Sequence, residues 1–181
     1  MSRSVWLLAM LLGVFAMNAN AAPEYSIKAG YILLFTRYVE WPNDAFASPH
    51  DSIEVCILGQ DPFGSVLDQT LAGQQSQGRS LSVRRITNTR AASDCHVVYM
   101  GTKTLAEASG WLEQLASQPV LTITEQHDAL MRGAALCFVN EGAGEQLRIR
   151  FEASLASIQK AKLTASSEML VAARKVHDVG I

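Results

Sequence analysis

The sequence predicts an α/β fold: one layered domain with a mixed, mostly parallel β-sheet flanked by α-helices, ending in a β-hairpin and two helices. Three observations predict it. Compact apolar runs close on glycine, Ile53–Leu58 before Gly59 and Cys95–Met100 before Gly101, which is how fully buried strands read. Between them stand stretches with apolar residues every three or four positions, the spacing of a helix face. Near the C-terminus Leu147, Ile149 and Phe151 alternate with Arg148 and Arg150, as in an antiparallel strand with one wet face.

Residues 1–21 read as a secretory signal peptide. Arg3 supplies the positive start, Val5–Met17 is an unbroken apolar run, and Ala19-Asn20-Ala21 is a small-x-small cleavage site. Such a run rises roughly 20 Å as a helix, short of the roughly 30 Å hydrocarbon core, so it is a leader rather than an anchor. The absence of a cysteine at the cleavage point argues against a lipid anchor. The expected mature domain is 22–181, without stable membrane insertion.

The stretch Ala29–Pro42 carries much of the aromatic surface. Ile27, Tyr31, Leu34, Phe35, Tyr38 and Trp41 share one helical face, which Ile32, Leu33 and Val39 widen. Lys28, Thr36, Arg37 and Glu40 are left for water, and Pro42 ends the helix. A helix so nearly apolar all round is buried or pressed against a partner. Asn43–Ser52 is a loop and Ile53–Leu58 the first long strand. Asp61 stands at an N-cap position, Pro62 in the first helical turn, and Phe63, Leu67 and Leu71 form that helix's apolar face. Gly73–Arg79 is a loop, Leu81–Ile86 a strand, and Cys95–Met100 another. Leu105, Ala108, Leu112 and Leu115 draw a further helix, and Val120–Ile123 a fourth strand. Gln126–Met131 is a short helix, Ala134–Val139 and Gln146–Phe151 form a hairpin, and helices around Ala153–Lys160 and Ser166–Val176 close the chain.

Lys and Arg number 15 against 17 Asp and Glu, and loss of Arg3 with the leader makes the balance one unit more negative. Near-neutral charge without a basic cluster excludes nucleic acid and an electrostatic membrane-surface role. The cysteines are Cys56, Cys95 and Cys137, so an exported chain leaves at least one thiol outside an intramolecular bridge. All three pairings are open. Cys56–Cys95 is favoured because the two lie on the first and third strands, which can be sheet neighbours. Closing that loop would contribute roughly 4 kcal/mol in the chain-entropy model. Cys137 reads as a small buried apolar residue.

No catalytic motif emerges. The four histidines are scattered without metal-ligand spacing, and neither Gly-x-Ser-x-Gly nor a P-loop is present. The sequence predicts no metal, no cofactor and no enzyme activity. A ligand-binding reading stays open, with a small molecule or peptidoglycan fragment at the carboxyl ends of the strands near Gly59 and Gly101.

The order of segments resembles the YfiR family of periplasmic regulators. The resemblance rests on Phe35-Thr36-Arg37-Tyr38-Val39-Glu40-Trp41-Pro42, Val55-Cys56-Ile57-Leu58-Gly59 with Asp61-Pro62-Phe63, Gly78-Arg79, and Cys95-His96-Val97-Val98-Tyr99. Pro119-Val120-Leu121-Thr122-Ile123, Phe151-Glu152 and Leu163-Thr164-Ala165-Ser166-Ser167-Glu168-Met169-Leu170 complete it. It implies a periplasmic repressor that holds an inner-membrane diguanylate cyclase off through the cyclase's periplasmic domain, lowering cyclic di-GMP and biofilm formation. It also implies release by an outer-membrane lipoprotein or by redox or envelope stress, and a first bridge at Cys56 and Cys95. The family's second bridge has no counterpart, because Cys137 lacks a partner. A repressor needs surface anchors, and those expected here are Phe35, Tyr38, Trp41, Leu155 and Ile158, rimmed by Arg148 and Arg150. A homodimer seamed by the first helix is a further expectation, and a histidine kinase or outer-membrane receptor an alternative partner.

Overall fold

The computed structural model describes residues 21–178; apart from Ala21, the expected leader lies outside the described residues. Helix α1 (Ala21–Tyr38) leads directly into the two-residue strand β1 (Val39–Glu40). There follow β2 (Ile53–Gly59), α2 (Ser65–Leu71), β3 (Gln75–Ser76), β4 (Arg79–Ile86), β5 (Val97–Gly101), α3 (Leu105–Leu115) and β6 (Leu121–Thr124). The chain closes with β7 (Leu136–Glu141), β8 (Arg148–Ser154), α4 (Leu155–Lys160), β9 (Thr164–Ala165), α5 (Ser167–Ala172) and β10 (Lys175–His177).

An eight-stranded sheet runs β10-β8-β7-β6-β5-β2-β4-β3. Its centre is parallel, with β8 antiparallel to β7 and β3 antiparallel to β4. β1 and β9 form a small antiparallel sheet of their own. The expected α/β class therefore holds, and two-residue periodicity explains its two cores. On β2, Val55 and Ile57 point to a core shared with Phe35, Phe63, Leu67, Phe151 and Met169 from the α1, α2 and α5 side. Cys56 and Leu58 point the other way, into a core closed by Ala108, Leu112 and Leu115 of α3.

The Cys56–Cys95 bridge is present, with 5.9 Å between Cα atoms, and ties β2 to the residue pair leading into β5. The Arg84 guanidinium lies over it, 3.4 Å from the Cys95 sulfur. Cys137 is free and buried in the α3-side core, and burial first, then the carboxylates of Glu152 and Glu125, pushes its thiol up to about 12. It is inert.

Several elements depart from the sequence expectation, each for a local reason. α1 ends at Tyr38 rather than Trp41, because Val39 and Glu40 pair with Ala165 and Thr164. Asp61 is not the N-cap of α2. Its Oδ1 accepts the N–H groups of Phe63 and Gly64 in a turn, and the helix starts after Gly64, whose φ of 54° suits a residue without Cβ. The loop Gly73–Arg79 contains the β3–β4 hairpin, turning on Gln77 and Gly78, both at positive φ. The segment after β6 is a 3-10 helix, His127–Arg132. The last helix stops at Ala172, and Lys175–His177 instead joins β8 in parallel. Arg174 and His177 hold it there by donating to Glu152, which is buried on β8.

Candidate functional site

α1 is the element on which polarity and position disagree. Its buried arc holds Lys28, Ala29, Ile32, Phe35 and Thr36, while Ile27, Leu34 and Tyr38 are 47%, 41% and 39% exposed. The sequence expectation had put Lys28 and Thr36 in water; both are fully buried. Glu24, one turn earlier, binds the Lys28 ammonium, and Glu125 at the end of β6 holds it from across the core at 2.9 Å. The Tyr25 ring lies 4.6 Å from the same ammonium. Tyr99 donates its hydroxyl to Glu125, and Asn140 donates to Glu24. Burial alone would raise the Glu24 carboxyl, but the hydrogen bonds from Lys28 and Asn140 outweigh it and bring that carboxyl below its usual value. Thr36 satisfies itself by donating to the Leu33 carbonyl. A polar residue with every partner supplied can face a core.

The outer side of α1 is correspondingly apolar and borders a groove of about 220 Å³ between α1 and α5. Tyr31, Leu34 and Tyr38 form one wall, Met169 and Ala172 the other, with Phe35 and Phe151 as the floor and Glu168 at the edge. The floor is rigid: Phe35 meets Phe151 edge-on at 4.9 Å and Phe138 at 5.9 Å. Val171, on the exposed side of α5, is 86% accessible. Exposed aromatic and aliphatic groups over a fixed floor are what a protein partner docks on.

The residues expected to anchor a partner divide. Tyr38 is on the groove wall and Phe35 beneath it. Trp41 sits in the core, its indole N–H donating to the His96 carbonyl at 3.1 Å. His96 is itself buried: its Nδ1 accepts from the Glu54 N–H, its Nε2 donates to the Ala45 carbonyl, and its ring stacks on Phe46 at 4.2 Å. Burial holds its pKa below the usual histidine value. Ile158 is core and Leu155 half-buried. Arg148 and Arg150 are exposed but project from β8 on the side opposite Ile149 and Phe151, away from the groove. Leu34, Met169 and Val171 were not anticipated. The lysine at position 28, four residues after Glu24, was the available signal that the helix had turned.

The crevice at the carboxyl ends of β2 and β5 is filled by the chain itself. A Cβ on Gly59 would stand 2.6 Å from the Trp111 ring, and one on Gly101 1.8 Å from the Gln60 carbonyl oxygen. The Gln60 N–H donates to Gly101 across it at 3.0 Å. A ligand there would have to displace both. Among the described residues, no group of three or more His, Cys, Asp and Glu side chains is disposed to hold a metal ion, and no helix is long and apolar enough to cross a membrane.

Residues 25–174 match the model of the YfiR/HmsC-like family. The chain belongs to that family. The YfiR/HmsC-like family is a regulatory, non-enzymatic family of the periplasm. In fold, the chain is similar to the crystal structure of a conserved domain protein from Vibrio cholerae O1 biovar El Tor, with a TM-score of 0.56 at 11% identity. The match covers 82% of this chain and spans 59% of that one.

Proposed function

We propose that this YfiR/HmsC-like chain is exported to the periplasm, binds the periplasmic sensor domain of an inner-membrane diguanylate cyclase through the α1–α5 groove, and holds the cyclase off. The observation that carries the reading is the groove itself: Leu34 and Tyr38 stand exposed on its wall above a floor of Phe35 and Phe151. Family membership supports the regulatory half of the reading.

Such a protein needs no chemistry, only tighter binding to the off state than to the on state, since equal affinity shifts nothing. Moving a cyclase from almost fully on to almost fully off takes about 5.5 kcal/mol of differential binding, within reach of a few well-packed aromatic and aliphatic anchors. Leu34 and Tyr38 supply those anchors. An outer-membrane lipoprotein that released the repressor would cover the same groove.

Deleting the gene should raise cyclic di-GMP, and restoring it should lower the level again. Leu34→Glu, which puts a charge on the groove wall without entering the core, should fold and be exported yet fail to restore repression. Full repression by that variant would remove the groove from the interaction. Unchanged cyclic di-GMP on deletion would remove the cyclase.

A further inference from the structure

On the α3 side of the sheet a cavity of about 110 Å³ opens at the amino end of β6, between the C-terminal halves of α3 and α4 and the end of the 3-10 helix His127–Arg132. Leu112, Leu115 and Val120 give it an apolar wall. On β6, Leu121 and Ile123 turn to the α1-side core, so Thr122 turns the other way and lines the cavity. The Thr122 side chain is buried. Its oxygen accepts the Ala135 N–H at 2.9 Å, but its own proton has no acceptor among the described residues. Two exposed cations, Arg132 and Lys160, stand at the mouth, and neither has a hydrogen-bond or ion-pair partner among the described residues. Basic residues near helix ends ordinarily serve the last carbonyls. Here the backbone has taken those: the Leu130 carbonyl receives the Gly133 N–H, Ser157 the Ala161 N–H and Gln159 the Lys162 N–H. The two cations are not caps. Glu113 is the one acidic residue lining the cavity, so the mouth is net positive.

We propose that this cavity binds a short hydroxy- or oxo-carboxylate. Arg132 and Lys160 hold its carboxylate at the mouth, Leu112, Leu115 and Val120 cover its carbon chain, and its second oxygen takes the Thr122 proton. Each part of the ligand answers a group that the fold leaves unpaired. Two cations select an anion, and the guanidinium fork matches a planar carboxylate. A buried hydroxyl with a proton to give selects a further oxygen, because a methyl group there would leave the donor unsatisfied. Size selects a small molecule. One water needs about 10–15 Å³ of cavity, so 110 Å³ admits fewer than about ten non-hydrogen atoms. A nucleotide, a disaccharide or a peptide is too large. The inference goes beyond the repressor reading and does not require it, since the cavity lies across the sheet from the α1–α5 groove.

Titration of the isotope-labelled mature chain with 3-hydroxybutyrate tests it, read by NMR at the Gly133 and Ala161 amides. The comparison ligand is 3-methylbutanoate, which has a methyl group where the other has its hydroxyl and is otherwise the same size. 3-Hydroxybutyrate should saturate those shifts, binding about three- to tenfold more tightly than 3-methylbutanoate, the worth of one hydrogen bond. Thr122→Val should erase that preference while still binding 3-methylbutanoate, a comparison within one variant that a general loss of stability does not imitate. Arg132→Gln and Lys160→Gln, both on the surface, should each weaken binding of either acid by about fivefold or more without lowering the melting temperature. These two decide the matter even if Thr122→Val does not fold. Inorganic phosphate, an anion without a carbon chain, should bind more weakly than either acid. No saturable shift at Gly133 and Ala161, full binding by the doubly substituted Arg132→Gln, Lys160→Gln chain, phosphate bound as tightly, or 3-methylbutanoate bound as well as 3-hydroxybutyrate would overturn the assignment. None of these results bears on cyclase repression, which the gene deletion decides separately.

Discussion

The two arcs of α1 carry opposite kinds of residue for opposite jobs. The inner arc buries an ammonium and a hydroxyl; the outer arc leaves isoleucine, leucine and tyrosine in water. Inside, polar groups are tolerable because each has a fixed partner, Glu24 and Glu125 for Lys28 and the Leu33 carbonyl for Thr36. Outside, Ile27, Leu34 and Tyr38 stay exposed among the described residues. The inner arc therefore secures the fold, while the outer arc is the surface proposed to meet a partner. Trp41 and Tyr38 repeat the lesson three residues apart, one locked to the His96 carbonyl and the other on the groove wall.

The largest expected effect breaks the inner arc. Lys28→Ala leaves two carboxylates facing a cavity, and loss of one member of a buried pair costs about 3–5 kcal/mol, read as a drop in urea midpoint. Adding Glu125→Gln should recover part of it. If Lys28→Ala unfolds no earlier than wild type, the ammonium is not the inner anchor.

His96 tests the lock at the end of the helix. Burial depresses its pKa in the fold, so the folded state binds the proton less well than the unfolded chain. Its contribution is complete above the ordinary histidine value of 6.5 and is lost as pH falls below it. Melting temperature should therefore decline on acidification, and His96→Gln should flatten that first decline. The Glu24 carboxyl, also depressed, should add a second loss below 4.5.

The smallest effect sharpens the outer arc. Gly30→Ala should stabilise the monomer by about 1 kcal/mol, the helix-propensity difference, because the site has room for a methyl group. A loss of stability would place an unseen contact there.

The chain's own letters determined the strand–helix alternation, the buried parallel strands and the two-faced final strand, since period and length alone set those patterns. They favoured Cys56 with Cys95 among three open pairings, because the first and third strands can be sheet neighbours, and the structure made the choice. Only the tertiary structure decided which way α1 faces. Helical periodicity reports a stripe but not its partner, and Glu125, which lets Lys28 turn inward, lies nearly a hundred residues away in sequence. The same holds for Lys175 and Val176, helical by local pattern but drawn into a strand whose His177 donates to Glu152 on β8. It holds again for Trp41, whose indole is core because the His96 carbonyl is there to receive it. Long-range polar partners decide such cases, and no local window contains them.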